Sequence, residues 1–489
     1  MCKYAGFTRR FGHLSRRAAL LSTVIFVSAC AAIPDLGPAP ETKRVETYTA
    51  GNSFSAPATE WPSDKWWTSY GDEQLSQLIV EALASSPTLA QAEARVREAE
   101  GFAQRAGAAL LPQVEADATI GAVKQSYNNG LLKEAVPQGW NDAGEASLSF
   151  SYEFDFWGRN RAALSAALSS AEAARAEQAQ ARLTLATAVA SAYAQLAQFH
   201  ADRKASADAV VVRTRTAELL SERRAQGLEH QGAVSEAEAG RAAAEARLAA
   251  IDEAINLTRN RIAALLGGGP DRGLAIVEPK AAALKPFGLP SNLQANLIGR
   301  RPDIVAARLR SEAAVARIDA ARADFYPNIN LSALIGVQSL GIGDLTKAGS
   351  DFGSVGAAIS LPIFTGGRLE GAYRGARAEY DAAVSSYDGA VTQALNDVAD
   401  VAASQRALGL RLSKSREALA SSEQAYQIMN NRYVGGLSTY LEVLSAEDRL
   451  IENRQAVADL ETRAFALDVA LVRALGGGFQ FSRNDAKRP

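Results

Sequence analysis

The stretch Ser147–Arg161, SLSFSYEFDFWGRNR, changes its periodicity part-way along, and this change decides the fold. Up to Phe156, apolar residues alternate with polar ones, as in a strand with one apolar and one polar face. After Gly158 the period becomes helical, and the residues from Arg159 to Gln226 include neither proline nor glycine. A helix of that length would measure roughly 100 Å. The sequence therefore predicts a strand that leads directly into a very long helix.

The same pattern occurs a second time in the chain. Gly158 recurs as Gly367, 209 positions later, and the Leu-Gly-Gly-Gly that begins at Leu266 recurs at Leu475. Upstream of the strands the shift is 215, so the first copy holds six extra residues near the join between its two strands. A long internal period indicates one structural unit that is used twice in one assembly. The glycine triplets are predicted to cap helix C-termini.

Each copy contains two segments in which apolar and polar residues alternate, and these four segments are predicted strands. They are Val114–Ala122, Leu148–Phe156, Ile329–Val337 and Val355–Ile363. A length of about ten residues with alternating faces is typical of strands that cross a membrane in a barrel. A soluble two-sheet sandwich would show the same alternation, so the strands alone leave both interpretations open.

Each copy also contains a very long helix, a turn and a return helix. The long helices are predicted at Arg159–Gln226 and Arg368–Val434, with turns at Gly227 and Gly436. Such a helix has to bury its apolar stripe along a neighbouring helix, which predicts a coiled-coil-like array of helical hairpins. The predicted fold class is therefore α+β. Four strands cannot close a barrel, so closure would need several chains, related most simply by cyclic symmetry.

The N-terminus has the features of a targeting segment. Four arginines precede an apolar run from Ala18 to Val27, and Val27-Ser28-Ala29-Cys30 follows. This order predicts a signal peptide. The last four residues resemble a bacterial lipobox, which implies cleavage before Cys30 and acylation of that cysteine. A plain signal peptide with a chance cysteine is the alternative. The proline-rich stretch that follows predicts an extended tether.

Charge and composition exclude several classes of function. Without the predicted signal peptide the chain has 47 basic and 54 acidic residues, a net charge of −7, which disfavours nucleic acid as a partner. No later stretch is apolar for long enough to form a membrane-spanning helix, so strands would have to make any crossing. His200 and His230 lie 30 residues apart, without metal-ligand spacing around them. We expect no enzyme activity, no cofactor and no metal.

Several motifs resemble one known family. They are Ser151–Arg161, Arg300–Ile304 with Phe325-Tyr326-Pro327, Leu361–Phe364, Tyr433–Leu444 and Ala474–Gly478. Their residues and order resemble the outer-membrane factors, the TolC-like channels of tripartite export systems, and in particular the lipoprotein branch often called NodT-type. The resemblance covers about residues 60–478.

The resemblance implies an α+β membrane protein that works as a homotrimer in the lipid of the outer membrane. Three chains would share a twelve-strand β-barrel, and their duplicated helical hairpins would form an α-barrel across the periplasm. The implied partners are a periplasmic adaptor and an inner-membrane pump, of the RND type, and the implied cargo is small molecules. Two alternatives remain: the exit duct of a type I protein-secretion system, and a structural periplasmic coiled-coil lipoprotein.

The predicted division of the chain follows the repeat. It is a signal peptide (1–29), a lipid anchor and tether (30–60), a first repeat (61–269), a linker (270–300), a second repeat (301–478) and a tail (479–489).

Two sets of candidate functional residues lie at and beyond the helix turns. The turns are the ends of the long helices opposite the strands, and they are predicted to meet the adaptor through Arg223, Gly227, Arg432, Gly435, Gly436, Leu437 and Ser438. Glu442, Ser445 and Asp448 are spaced to share one helix face. The family often has an inward-facing carboxylate at the position of Ser445, and the matching residue in the first copy is Glu236. The predicted gate is therefore Glu236, Glu442 and Asp448.

Overall fold

A computed structural model describes residues 33–44, 47–128, 130, 132–280, 284 and 287–481. The predicted signal peptide, Cys30 and most of the predicted tail lie outside the described residues. Within them, no helix combines the length and the apolar character that a membrane span requires.

The elements follow the predicted order twice. The first part contains β1 (Ala58–Thr59), α1 (Glu73–Ser85), α2 (Pro87–Ala108), β2 (Gln113–Val123), β3 (Asn141–Glu153), α3 (Arg159–Ala225), α4 (Gln231–Leu265) and α5 (Asp271–Leu274). The second part contains β4 (Leu289–Pro290), α6 (Leu293–Arg300), α7 (Pro302–Ala323), β5 (Asn328–Leu340), β6 (Asp351–Ser360), α8 (Arg368–Val434) and α9 (Tyr440–Ala474). Both predicted long helices are confirmed, each 67 residues in length.

The predicted ends of two strands are wrong. β3 ends at Glu153, so Phe154 and Phe156 lie beyond it, and β6 ends at Ser360, before Leu361 and Ile363. Phe154 still donates its N–H to the carbonyl of Ile329 on β5 at 2.9 Å, but the alternation of residue types continues to Phe156 and therefore misplaces the boundary. At the end of β3 the backbone turns locally, because the N–H of Phe156 donates to the carbonyl of Phe154 at 2.9 Å.

The chain divides into two compact units, and each copy of the repeat contributes to both. The first unit comprises the described residues up to Glu41 together with Arg97–Ala171 and Arg308–Ser385. The second comprises Thr42–Val96, Glu172–Ala307 and the described residues from Ser386 onward.

The first unit contains an antiparallel four-stranded sheet in the order β2-β3-β5-β6, in which β3 pairs with β5 and so joins the two copies. Its register places Leu148 opposite Ile335, and Ala333 opposite Val355, on an apolar face. The other face is polar, with Ser151 opposite Ser332. In the described residues, β2 and β6 are edge strands with one unpaired side each.

The second unit contains two antiparallel helix pairs, named here by their members. The first coil is α3 from Glu172 onward with α4, and ion pairs such as Arg203–Asp252 (2.6 Å) join its helices. The second coil is α8 from Ser386 onward with α9, joined by pairs such as Arg416–Glu461 (2.7 Å). Beside the first coil, α1 packs its apolar face into a hydrophobic core.

Both return helices end on the predicted glycine caps. The N–H of Gly267 donates to the carbonyl of Ala264, and that of Gly476 donates to the carbonyl of Arg473, each with a positive φ. Both glycines are also packed tightly. A Cβ on Gly267 would lie 2.8 Å from the carbonyl oxygen of Ser85, and one on Gly476 would overlap the carbonyl oxygen of Arg300. The two glycines therefore occupy equivalent positions, at the end of the return helix, in the two copies.

The segment predicted as a tether lies against α8. In the first unit the hydroxyl of Tyr380 donates to the carbonyl of Pro40 at 3.0 Å. In the second unit the N–H of Lys43 donates to the carboxylate of Asp388 at 3.0 Å. The guanidinium of Arg406 donates to the carbonyls of Ser53 and Ser55, both at 3.2 Å. The segment is thus docked through its backbone rather than free.

Candidate functional site

The two predicted turns share one backbone geometry. Gly227 and Gly436 have φ values of +74° and +75°, which favour glycine over residues with a Cβ. At each turn the next residue donates to a carbonyl five positions earlier, from Leu228 to Arg223 and from Leu437 to Arg432, both at 2.8 Å. These bonds satisfy carbonyls that the helix ends would otherwise leave free.

The helices that follow the turns begin on capping residues. The Nδ1 atom of His230 accepts the N–H of Ala233 at 3.1 Å. In the second copy Thr439 and Glu442 form a capping box, in which the N–H of Thr439 donates to the Glu442 carboxylate at 3.2 Å. The carboxylate of Glu442, a predicted gate residue, is therefore engaged in capping a helix.

A polar contact ties the two turns together. The hydroxyl of Tyr433 donates to Glu229 at 2.7 Å, and the guanidinium of Arg223 lies 4.5 Å from the centre of the Tyr433 ring. The hydrogen bond from Tyr433 lowers the pKa of Glu229, and burial raises the pKa of Tyr433 to about 12. Because the pKa of Glu229 is depressed, the hydrogen bond between Tyr433 and Glu229 stabilises the folded turns at neutral pH. That contribution is lost as the pH falls through this depressed value.

Of the other predicted turn residues, Arg432, Gly435 and Leu437 are exposed, and Ser438 is half-buried. Leu437 is 72% exposed. Arg432 is exposed too, and its guanidinium donates to the carbonyl of Leu437, beyond the end of α8, at 3.2 Å. Gly435 follows the last residue of α8, and its N–H still makes a helical bond, to the carbonyl of Asn431 at 3.1 Å. Ser438 donates to the carbonyl of Met429 at 3.4 Å.

The structure brings together two of the three predicted gate residues. Glu442, Ser445 and Asp448 are all exposed, in agreement with a shared face on α9. Glu236 and Asp448 line one cavity of about 440 Å³, together with Arg213 and Arg247. Glu442 does not line this cavity.

The structure also shows a buried ion pair that sequence reasoning missed. Glu447 is fully buried, and its Oε1 atom lies 3.0 Å from the Nε atom of Arg213. This contact is an ion pair without good hydrogen-bond alignment. The other oxygen of Glu447 accepts the hydroxyl of Thr216 at 2.8 Å. Arg213 also pairs with Asp448, so this predicted gate carboxylate has a counterion. Burial raises the pKa of Glu447, against the lowering effect of Arg213.

Spacing on α9 gives no signal for this ion pair, because Glu447 has the same residue type as exposed neighbours such as Glu442. A comparison of the two copies does mark Arg213 as unusual. The first copy has an arginine at this position, and the second copy has Ser422 at the equivalent position.

Comparison with models of known protein families shows which family this duplicated chain belongs to. The sequence model described as "Outer membrane efflux protein" matches residues 78–268 and again 293–477, so that it covers both copies. The chain belongs to this family. As an outer-membrane efflux protein, it is a channel component of an export system, and the resemblance of its motifs to TolC-like channels is confirmed.

Relatives and solved structures agree with this assignment. The fusaric acid resistance protein FusA of Burkholderia cepacia is 34% identical over 363 residues, 72% of this chain and 67% of its own. The pyoverdine export outer membrane protein OpmQ of Pseudomonas aeruginosa is 29% identical over 97% of this chain and 99% of its own. The crystal structure of the outer membrane protein VceC of Vibrio cholerae superposes with a TM-score of 0.81. It is 47% identical and covers 86% of this chain and 100% of its own.

Proposed function

We propose that three copies of this chain form one conduit through which small molecules leave the cell across the outer membrane. The observation that carries this proposal is the sheet, whose edge strands β2 and β6 each have an unpaired side and whose faces are apolar and polar. Three such sheets joined edge to edge would close a twelve-strand barrel with its apolar face toward lipid. The duplicated coils would line the passage in the periplasm.

Small molecules are favoured over proteins as cargo by the names of the relatives, which concern fusaric acid and pyoverdine. A strain that lacks the gene should accumulate ethidium, and the intact gene should restore its export. Protein secretion should stay unchanged. Normal ethidium export in the deletion strain, together with a lost secreted protein, would favour the alternative of a type I secretion duct.

We further propose that the turns dock onto a periplasmic adaptor that connects the channel to an inner-membrane pump of the RND type. Leu437 is well suited to detect this contact, since it is exposed at the end of the second coil. Leu437→Cys should form a crosslink to the adaptor in intact cells. Leu257→Cys is the matched control, because Leu257 is a 59% exposed leucine within α4. Stronger crosslinking from position 257 than from 437 would contradict docking at the turns.

We also propose that Cys30 is acylated, because Val27-Ser28-Ala29-Cys30 resembles a bacterial lipobox. Mass spectrometry of the N-terminal peptide tests it. An unmodified Cys30, or a peptide that starts elsewhere, would refute the lipid anchor.

The gate is proposed at Glu236 and Asp448, supported by the cavity that they share. Three copies of each carboxylate around one pore would attract multivalent cations. Block of the channel current by hexaamminecobalt(III) should therefore weaken in the double variant Glu236→Ala, Asp448→Ala. Glu442→Gln is the control, because Glu442 caps a helix, and its block should equal that of the wild type. Unchanged block in the double variant would place the gate elsewhere.

A further inference from the structure

A cavity of about 310 Å³, named here the junction cavity, lies in the first unit where the sheet meets the helices. Its wall is formed by the segments that join β3 to α3, α7 to β5, and β6 to α8. None of the predicted turn or gate residues lies on this wall. The junction cavity is therefore separate from both candidate sites described above.

The junction cavity opens on the polar face of the sheet. Glu153, Asn328 and Ser360 line it, and Asn328 is the register partner of Ser360. Alternate residues of a strand share a face, so all three lie on the same face as the Ser151–Ser332 pair. This face lines the passage in the proposed barrel, and the assignment of the junction cavity to cargo rests on that proposed function.

Two arginines at equivalent positions of the repeat line the junction cavity, and only one of them is neutralised. The guanidinium of Arg159 pairs with Glu153 at 2.7 Å and with Asp324 at 3.5 Å. Arg368 follows 209 positions later; within the described residues it is exposed and forms no ion pair. The wall therefore offers one positive charge to a ligand.

The duplicated sequence accounts for the free charge of Arg368. Glu153 corresponds to Pro362 in the second copy, and Asp324 corresponds to Ala109 in the first. Neither Pro362 nor Ala109 can carry a negative charge. The position of Arg368 has thus kept the arginine of the first copy and lost both of its carboxylate partners.

The other acidic groups near Arg368 are engaged elsewhere. Asp155 lies on the wall, and the guanidinium of Arg161 binds it at 3.2 Å. Glu370 is the acidic residue closest to Arg368 along α8, and its carboxylate accepts a hydrogen bond from Arg374. Both carboxylates therefore leave the guanidinium of Arg368 to an external anion.

Aromatic rings form the apolar part of the wall. The rings of Trp157 and Tyr326 are stacked with their centres 4.6 Å apart, and the indole N–H of Trp157 donates to the carbonyl of Pro327 at 2.9 Å. Trp157 is 51% exposed and Phe156 is 63% exposed. A free guanidinium and exposed rings on one wall suit a ligand that has a carboxylate on a flat apolar body.

We propose that the junction cavity binds organic anions in which a carboxylate is attached to an aromatic ring, as cargo on its way through the passage. The guanidinium of Arg368 binds the carboxylate, and the ring packs against the aromatic wall. Three copies of the chain would place three such sites around the passage. A hydrogen bond to a charged group strengthens binding by roughly a factor of ten or more, so the carboxylate should dominate the affinity.

Isothermal titration calorimetry of the purified protein in dodecyl maltoside measures this binding without any need for conduction. The probe is 2-naphthoate; 2-naphthamide has its ring without the charge, and acetate has its charge without the ring. We expect 2-naphthoate to bind at one site per chain and the other two compounds to bind about tenfold more weakly. Equal affinity for 2-naphthamide would overturn the role of the carboxylate, and equal affinity for acetate would overturn the role of the aromatic wall.

Arg368→Gln should lower the affinity for 2-naphthoate about tenfold or more, because it removes the charge that binds the carboxylate. Arg322→Gln is the matched control. Arg322 is also exposed, forms no ion pair within the described residues and does not line the junction cavity. Equal losses of affinity in the two variants would reveal a general effect of net charge and would overturn the site.

Pro362→Glu tests the same assignment with Arg368 in place. It supplies the carboxylate that Glu153 provides for Arg159, so Arg368 should gain a partner within the chain and the affinity for 2-naphthoate should fall about tenfold. Pro362→Gln is the uncharged control and should keep the affinity of the wild type. Wild-type affinity in Pro362→Glu would contradict the role of Arg368.

The current through the protein in planar bilayers tests whether the junction cavity lies in the passage. 2-Naphthoate should block the current of the wild type and of Arg322→Gln, and Arg368→Gln should need a roughly tenfold higher concentration for the same block. Binding in the calorimeter without any block would overturn the assignment to cargo. Binding by a protein that carries no current at all would instead contradict the conduit and leave the binding site standing.

Discussion

Gly476→Ala is expected to be among the most destabilising glycine-to-alanine changes in the described part of the second unit. The residue has a φ of +88°, and a Cβ there would overlap the carbonyl oxygen of Arg300. A positive φ costs a non-glycine residue roughly 1–2 kcal/mol. Overpacking adds about 1–3 kcal/mol, because the obstacle is backbone and cannot rotate away. The midpoint of thermal unfolding in detergent, followed by helical circular dichroism, measures the loss.

Gly436→Ala separates the two causes. Gly436 has a similar φ of +75°, but no atom lies within 4 Å of the place where a Cβ would be. This variant should therefore show only the conformational cost, roughly 1–2 kcal/mol. Equal shifts of the unfolding midpoint in the two variants would show that the packing of Gly476 against Arg300 is not tight.

Arg213→Ala is expected to have the second large effect. It leaves the fully buried carboxylate of Glu447 without its counterion, which typically costs about 3–5 kcal/mol. Burial already raises the pKa of Glu447, and loss of Arg213 should raise it further. The protonated carboxyl is tolerated better than the carboxylate. The loss of stability should therefore be larger in alkaline than in mildly acidic buffer.

Arg203→Ala is the matched control, because Arg203 also extends from α3 and pairs with Asp252 at 2.6 Å, but both side chains are nearly half exposed. Such pairs contribute about 0.2–1 kcal/mol. If Arg213→Ala and Arg203→Ala lowered the unfolding midpoint equally and without pH dependence, the Arg213–Glu447 pair would not act as a buried tie.

Much of the fold could be predicted from residue periodicity and from the internal repeat. The absence of proline and glycine after Gly158 predicted α3 almost to its last residue, and the glycine triplets predicted both helix ends. The strand ends could not be predicted in this way. Phe156 and Ile363 continue the alternation of residue types, yet only hydrogen-bonded pairing with a neighbouring strand defines where a strand stops.

The contacts of the candidate site could be predicted from the sequence less well than the fold. Helix spacing predicted that Glu442 and Asp448 share an exposed face, and they do. The cap had a signal that helix spacing does not use, since Thr439-Tyr440-Leu441-Glu442 matches the sequence pattern of a capping box. The pairing of Asp448 with Arg213 had none, because it depends on a neighbouring helix. The burial of Glu447 also depends on packing between the two coils. The pattern of residues along one helix carries no information about that packing.

If this chain forms a conduit through a membrane, the purified wild-type protein should carry an ionic current across a planar bilayer. We expect discrete conductance steps after insertion from detergent, each from one assembly of three chains. Protein that inserts into the bilayer with its helical circular dichroism intact and yet gives no conductance steps would show that the chain does not form a conduit.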